Sequence, residues 1–324
     1  MNDDFHFVKS TLHRLETLGE QYSISAEHGV ASKNKFQEIF ETICSARSIA
    51  VENSTVSRKW AQLCWDFPLV LRGASEIWLT FEQRELWWQD ALKAEKHWGD
   101  SIAKGHCLGA LANIYSDKGE HKKAKKLYEQ RLELARDKKQ MLALTKTLLN
   151  LGNTALRLNE LQSARKRLHE ARIEARRHQF HKEEARAVGN LAVVTSRLGK
   201  TKLAITMLKT RIRILQQSKD LLQLASTYSN LGGYYTDLDL LDEANRNLKI
   251  ALVIDKQIEN RKGEGLVLAK MALLKEKTGA YAEAIEIMQK AALILDDCSS
   301  SDYANDCCEE IERLVARRNA EDSI

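Results

Sequence analysis

An asparagine amide presents a donor and an acceptor together, and this chain repeats that group at Asn150, Asn190 and Asn230, forty residues apart. Such a side chain can meet the C=O and N–H of one peptide unit at once. A row of them suits an extended polypeptide, whose backbone polar groups recur regularly and must stay paired when buried. Other chemistry finds little support. The histidines at 6, 13, 28, 97, 106, 121, 169, 178 and 181 form no H-E-x-x-H pattern. His106 and Cys107 are chain neighbours, which is not the geometry of a nucleophile and its base. His178 and His181, near Glu183 in "RHQFHKEE", read as a surface turn rather than a metal site. The cysteines at 44, 64, 107, 298, 307 and 308 show no C-x-x-C spacing, so they read as free or buried thiols rather than zinc ligands or a disulfide framework. There is no G-x-x-x-x-G-K-[ST] phosphate loop and no G-x-S-x-G elbow. No catalytic residue, metal ligand or cofactor is assigned.

The elements that carry the asparagines are set by an internal repeat. One series of apolar positions runs Leu111, Leu151, Leu191, Leu231, Met271, each followed by a small residue: Ala112, Gly152, Ala192, Gly232, Ala272. Thirteen residues past the leucine position stands an alanine in every copy: Ala124, Ala164, Ala204, Ala244, Ala284. Four further on comes a bulky group: Tyr128, Leu168, Leu208, Leu248, Met288. Turn signals separate the two halves at Gly119, Asn159, Gly199, Asp239 and Gly279, where a helix can end in the left-handed conformation. With one proline in 324 residues, and aliphatic residues mixed evenly with charges, the chain reads as all-α.

These landmarks resemble the tetratricopeptide repeat, whose signature runs W-x-x-L-G-x-x-Y and then A-x-x-x-F. The resemblance implies a right-handed α-solenoid of helix-turn-helix repeats. The period of forty and the absent repeat-ending proline read as a second helix lengthened by more than a turn. Five repeats are expected over residues 104–296, a degenerate copy with Arg84 at the alanine site over 69–103, a helical N-terminal cap over 1–68, and a capping helix of about 302–318 with a fraying tail in 297–324. The six tryptophans, at 60, 65, 78, 87, 88 and 98, read as core packing near the cap. "LHRLETLGEQY" and "QRELWWQDALKAEKHWGD" resemble the segment before the repeats in the sensor arms of bacterial STAND/NB-ARC signalling ATPases. That likeness implies a sensor or regulator role in bacterial signalling or defence, here without the ATPase.

In the resembled fold the first helix of each repeat lines a concave groove. Asn150, Asn190 and Asn230 then point inward, joined by Asn113 and Asn153. Lys146, Arg157, Arg186 and Arg197 fall on or beside that face and would favour an acidic peptide or a terminal carboxylate. The competing reading is that these asparagines bond neighbouring helices and hold the repeats in register. Residues 118–217 hold 25 Lys and Arg against 9 Asp and Glu, so an acidic protein partner or nucleic acid is the complementary surface. Aromatic residues that stack on bases are nearly absent there, which disfavours single-strand binding. The start of the chain lacks an apolar leader, and no window reaches the roughly 20 apolar residues of a membrane span. The expected protein is a cytoplasmic, non-catalytic adaptor that binds an extended or helical segment of another protein. A nucleic-acid-binding regulator using the basic middle repeats is the alternative.

Overall fold

A computed structural model describes residues 2–22, 26–71, 74–137, 139–298 and 301–321. The chain divides into two compact units, Met1–Asn159 and Glu160–Ile324. The first holds α1 (Asn2–Tyr22), α2 (Ala26–Glu38), α3 (Phe40–Glu52), α4 (Arg58–Val70), the short α5 (Ser75–Trp78), α6 (Phe81–Trp98), α7 (Ser101–Asp117), α8 (His121–Asp137) and α9 (Met141–Arg157). The second holds α10 (Leu161–Arg177), α11 (His181–Arg197), α12 (Thr201–Ser218), α13 (Leu221–Asp237), α14 (Leu241–Gln257), α15 (Arg261–Lys277), α16 (Tyr281–Asp297) and α17 (Ser301–Glu321). No strand occurs among the described residues.

The first helix of a repeat and the second are the same length to within one residue. Both α7 and α8 span 17 residues, as do α13 and α14, and α15 and α16. The lengthening expected of the second helix is therefore shared by both. The reason lies in the turns. Left-handed residues stand at Gly99, Gly119, Lys139, Asn159, Gln179, Gly199, Lys219, Asp239, Glu259 and Gly279, one every twenty residues. At most of them the sixth residue of the turn bonds back to the first. Glu120 N donates to Tyr115 O at 2.8 Å and Asn260 N to Asp255 O at 2.8 Å, which satisfies helix-end carbonyls.

Packing follows the repeated apolar positions. The alanines 124, 164, 204, 244 and 284 are all fully buried, because a larger side chain there would hold the paired helices apart. Leu168, Leu208 and Leu248 are fully buried as well, each contributing on the order of 1.5–3 kcal/mol by leaving water. Gly232 marks a close approach of this kind: a Cβ added there would run into Leu248.

In the first unit α1, α3, α4 and α6 enclose a separate core of Val8, Leu15, Ile43, Phe67 and Leu71, into which Trp60, Trp78 and Trp87 are packed. Trp98 is more exposed and donates its indole N–H to Ser54 O at 2.9 Å. Arg84, at the site an alanine fills elsewhere, is buried with its guanidinium 4.5 Å over the Phe81 ring. At the other end α17 runs longer than expected, over Ser301–Glu321. It is fastened by Arg313, which donates to both oxygens of Glu276 at 2.7 and 2.6 Å, and by buried Leu314 against Ala284 and Ile285. Of the tail expected to fray, residues 322–324 lie outside the described residues.

Candidate functional site

The predicted groove residues divide between the units. Asn113 lies on α7, and Lys146, Asn150, Asn153 and Arg157 on α9, in the first. Arg186, Asn190 and Arg197 lie on α11 and Asn230 on α13, in the second.

In the first unit two of these amides are brought together by a tyrosine. The Tyr128 hydroxyl donates to Asn113 Oδ1 at 2.5 Å, while Asn150 Nδ2 donates to Asn113 Oδ1 at 3.2 Å and to the Tyr128 oxygen at 3.3 Å. Three consecutive helices, α7, α8 and α9, are thereby tied by one cluster. Burial pushes the Tyr128 phenol up to about 12, with Asp117 adding to the shift. Asn150 thus spends part of its hydrogen-bonding capacity inside the protein, as the register-holding reading requires. Beside this cluster, His106, Arg131, Gln140, Leu142 and Lys146 line a cleft of about 260 Å³. Burial lowers the pKa of Arg131, and the Arg131 guanidinium packs on Gly109: an added Cβ there would sit 2.6–2.9 Å from it.

In the second unit the corresponding amide faces a larger cleft, of about 550 Å³. Asn230 Oδ1 accepts from Lys270 Nζ at 3.0 Å, and Ser229 Oγ accepts from the same ammonium at 3.0 Å. Burial pushes Lys270 down to about 8, opposed by Asp237. Arg211 enters from α12. It is 7% exposed and packed on Gly189, where an added Cβ would lie 2.7 Å from the guanidinium carbon. Its Nη2 donates to Gln223 Oε1 at 3.0 Å, and its Nε has no hydrogen-bond partner. Burial pushes this guanidinium down to about 10; Asp220 opposes the shift and Arg186 adds to it. Asp255, buried and raised above its ordinary value by that burial, accepts from Asn260 Nδ2 at 2.6 Å. Lys262 stands exposed at the rim, 5.0 Å over the Tyr303 ring. Leu222, Leu266 and Val267 give the cleft its apolar wall.

The two clefts occupy one register, three repeats apart. Ile102, His106, Gln140, Leu142 and Lys146 of the first correspond to Leu222, Ser226, Asn260, Lys262 and Leu266 of the second. Arg131 corresponds to Ala251, which is fully buried. Where an arginine lines the first cleft the second unit has a buried core alanine, and the second cleft is the larger of the two.

A tetratricopeptide-repeat family model matches residues 107–142, which span most of α7, all of α8 and the start of α9. Three solved structures share the fold at low identity. Aspartyl phosphate phosphatase F from Bacillus subtilis superposes with a TM-score of 0.60 at 13% identity, over 96% of this chain and 93% of that one. A Rap protein complexed with Competence and Sporulation Factor gives 0.58 at 13%, over 97% and 98%. The Rap conjugation gene regulator of plasmid pLS20, in complex with the Phr* peptide, gives 0.57 at 11%, over 95% and 96%. The fold is that of the tetratricopeptide repeats. No curated protein sequence matches the chain.

Within these tetratricopeptide repeats, Arg211, Gln223, Asn260 and Lys270 were absent from the sequence-predicted set. Arg211 alone among them carries a signal in the sequence, a size exchange between two repeat positions. Glycine at 109 and 189 accompanies arginine at 131 and 211; the other repeats pair Leu149 with Ala171, Ser229 with Ala251 and Ala269 with Ala291. A large residue at one position is matched by a small one at the other, because both occupy one space between helices. Among the described residues no cluster of metal-ligating side chains occurs, and no helix is long and apolar enough to cross a membrane.

Proposed function

We propose that this chain is a non-catalytic scaffold that binds a segment of another protein or a peptide along its repeats. The observation that carries the reading is the cleft of the second unit. Gln223, Asn230 and Asn260 supply amides that can both donate and accept, beside the apolar Leu222, Leu266 and Val267. A peptide needs that combination, because its backbone polar groups must be paired where its side chains are buried. Two structures of the same fold contain a bound factor or peptide, Competence and Sporulation Factor in one and the Phr* peptide in the other. By analogy of fold the bound segment signals to an effector, which makes the chain a regulator or sensor subunit in bacterial signalling or defence. The remaining predicted residues, Lys146, Asn153, Arg157, Arg186, Asn190 and Arg197, extend the recognition surface of their own units.

The test is direct binding of a synthetic library of random peptides, about ten residues long, to the full chain, with bound members sequenced by mass spectrometry. A shared sequence pattern, lost in Asn230→Ala, is the expected result. No enrichment, together with duplex DNA or RNA binding that falls steeply as salt rises, would replace the peptide reading with the nucleic-acid one.

A further inference from the structure

We propose that Lys270 is a modification site, acylated on Nζ by a small activated acyl donor that enters the cleft of the second unit. Such a change is covalent and made to the cleft wall, so it stands apart from the peptide reading above.

Lys270 differs from other lysines of the chain in its partners. Lys118, Lys275, Lys277 and Lys290 each lie 2.6–2.8 Å from a carboxylate, on Glu85, Glu283, Asp239 and Glu286. Lys270 Nζ instead donates to two neutral oxygens, Ser229 Oγ and Asn230 Oδ1, at 3.0 Å each. Among the described residues no carboxylate lies within ion-pair distance of it. Asp237 on α13 acts on it only through space, and Asp255 on α14, the one carboxylate lining the cleft, is engaged by Asn260. Arg211 on α12 and Lys262 on its own helix line the same cleft and favour an uncharged neighbour, and Tyr303 of α17 completes the lining. A desolvated ammonium without an acid is held at a cost, which losing a proton removes. A lysine so placed is a nucleophile near neutral pH, whereas an exposed or paired one is almost wholly ammonium.

The cleft suits both the donor and the product. Its volume of about 550 Å³ has room for an acyl group and its carrier phosphate. Leu266 and Val267 give an alkyl chain an apolar wall on the same helix as Lys270. The amide that forms carries no charge, so the cost of burying an ammonium is lifted. Its one N–H can still donate to Ser229 or Asn230. Arg211, whose Nε has no partner, and Lys262 at the rim favour a donor that carries phosphate. In the reaction the ammonium first releases a proton to solvent, and the Nζ lone pair attacks the acyl carbon. An N–C bond forms while the C–O bond of an acyl phosphate, or the C–S bond of a thioester, breaks. The leaving group departs with that electron pair as phosphate or thiolate, and the second amine proton passes to it or to solvent. Nothing is oxidised or reduced. The two kinds of donor share this chemistry.

Acetyl phosphate and acetyl-coenzyme A, given separately to the full chain at less than one acetyl group per molecule, distinguish the donors. Occupancy at each lysine is read by peptide mapping in a mass spectrometer. At pH 7.5, with at least one donor, Lys270 should be acetylated about tenfold or more faster than exposed lysines such as Lys166 and Lys249. Whichever donor shows the preference names its class. The Lys270 rate should level off above about pH 8, to which burial lowers this amine, while exposed lysines climb on toward the ordinary value of about 10.4. In concentrated urea the preference should vanish, because it comes from the fold and not from neighbouring sequence. Ser229→Asp supplies the missing carboxylate and should slow Lys270 about tenfold while sparing the exposed lysines, with a thermal melt to verify folding. Should that variant fail to fold, the parent chain with and without urea decides alone. A Lys270 rate no faster than those of exposed lysines with both donors overturns the acylation site. So does a preference that survives in urea or in folded Ser229→Asp. The peptide scaffold stands in each case.

Discussion

The two clefts are the same place in the repeat, read with different residues. In the first unit polarity is turned inward: Tyr128, Asn113 and Asn150 satisfy one another, and Arg131 fills its own space. In the second the equivalent space is open, and two cations, Arg211 and Lys270, line it with donors unspent. One backbone therefore supports a closed polar clasp in one unit and an open cleft in the other. The two places differ by a few side-chain exchanges, among them arginine for alanine at positions 131 and 251. Conservation of a repeat position is thus a poor guide to whether its polar group is available to a ligand.

The largest effect should come from forcing the second unit to imitate the first. Ala251 is fully buried, and Ser229 occupies the position that glycine holds opposite Arg131. Ala251→Arg therefore overpacks the site and buries another cation beside Arg211 and Lys270. We expect a loss of about 3–5 kcal/mol in denaturant unfolding. Adding Ser229→Gly restores the size match and should recover roughly 1–2 kcal/mol of that loss, a non-additivity expected of residues in contact. If the double variant is no more stable than Ala251→Arg alone, the size-exchange rule is wrong.

A smaller effect separates the two asparagines. Asn150→Ala strips the buried Tyr128 hydroxyl of one partner and should cost about 1–2 kcal/mol while leaving peptide affinity untouched. Tyr128→Phe should cost a similar amount, and the pair should couple by roughly 0.5–1 kcal/mol in a double-mutant cycle. Asn230→Ala should show the reverse emphasis, with peptide binding lost more clearly than stability. Affinity falling in Asn150→Ala as well would mean that the clasp is part of the binding surface.

The fold was legible because close packing is strict. An alanine at 124, 164, 204, 244 and 284 has one steric reason to recur, and all five are buried. The turns within repeats were legible where Gly119, Gly199 and Gly279 advertise a left-handed residue. The turns between repeats were less so, since Lys139, Gln179, Lys219 and Glu259 adopt the same conformation with no compositional sign. Their cost, about 1–2 kcal/mol each, is offset by the packing of the helices they join. The equal lengths of the two helices were missed for that reason. The site was legible only in part. Asn230 was named, but Arg211 and Lys270 stand 59 residues apart in sequence and meet only because α12, α13 and α15 bring them to one cleft. Of the residues that carry charge there, spacing along one helix face reaches none.

The smallest effect is a difference in pH response between the units. Burial lowers Lys270 from 10.5 to about 8. The groups around it are Ser229, Asn230 and Asp237 on α13, Arg211 on α12, Asp255 on α14, Lys262 on its own helix and Tyr303 on α17. Because the folded value lies below the unfolded one, the unfolded chain binds more protons between them, and stability rises with pH across that window. Below about pH 8 both states are protonated and the whole cost of burying the charge is present; near 10.5 it has gone. Lys270→Met removes the group. The stability of the parent relative to this variant should therefore improve by about 1 kcal/mol from roughly pH 7.5 to 9.5, a figure reduced because the ammonium is partly open to solvent. Groups that titrate in both proteins cancel in that difference. The clasp of the first unit offers no such response in this range, since its Tyr128 is pushed up to about 12. The same measurement on Tyr128→Phe should stay flat. A flat response from Lys270→Met too would mean that the second cleft keeps its lysine as well solvated as an ordinary surface one, and the contrast between clasp and open cleft would then rest on volume alone.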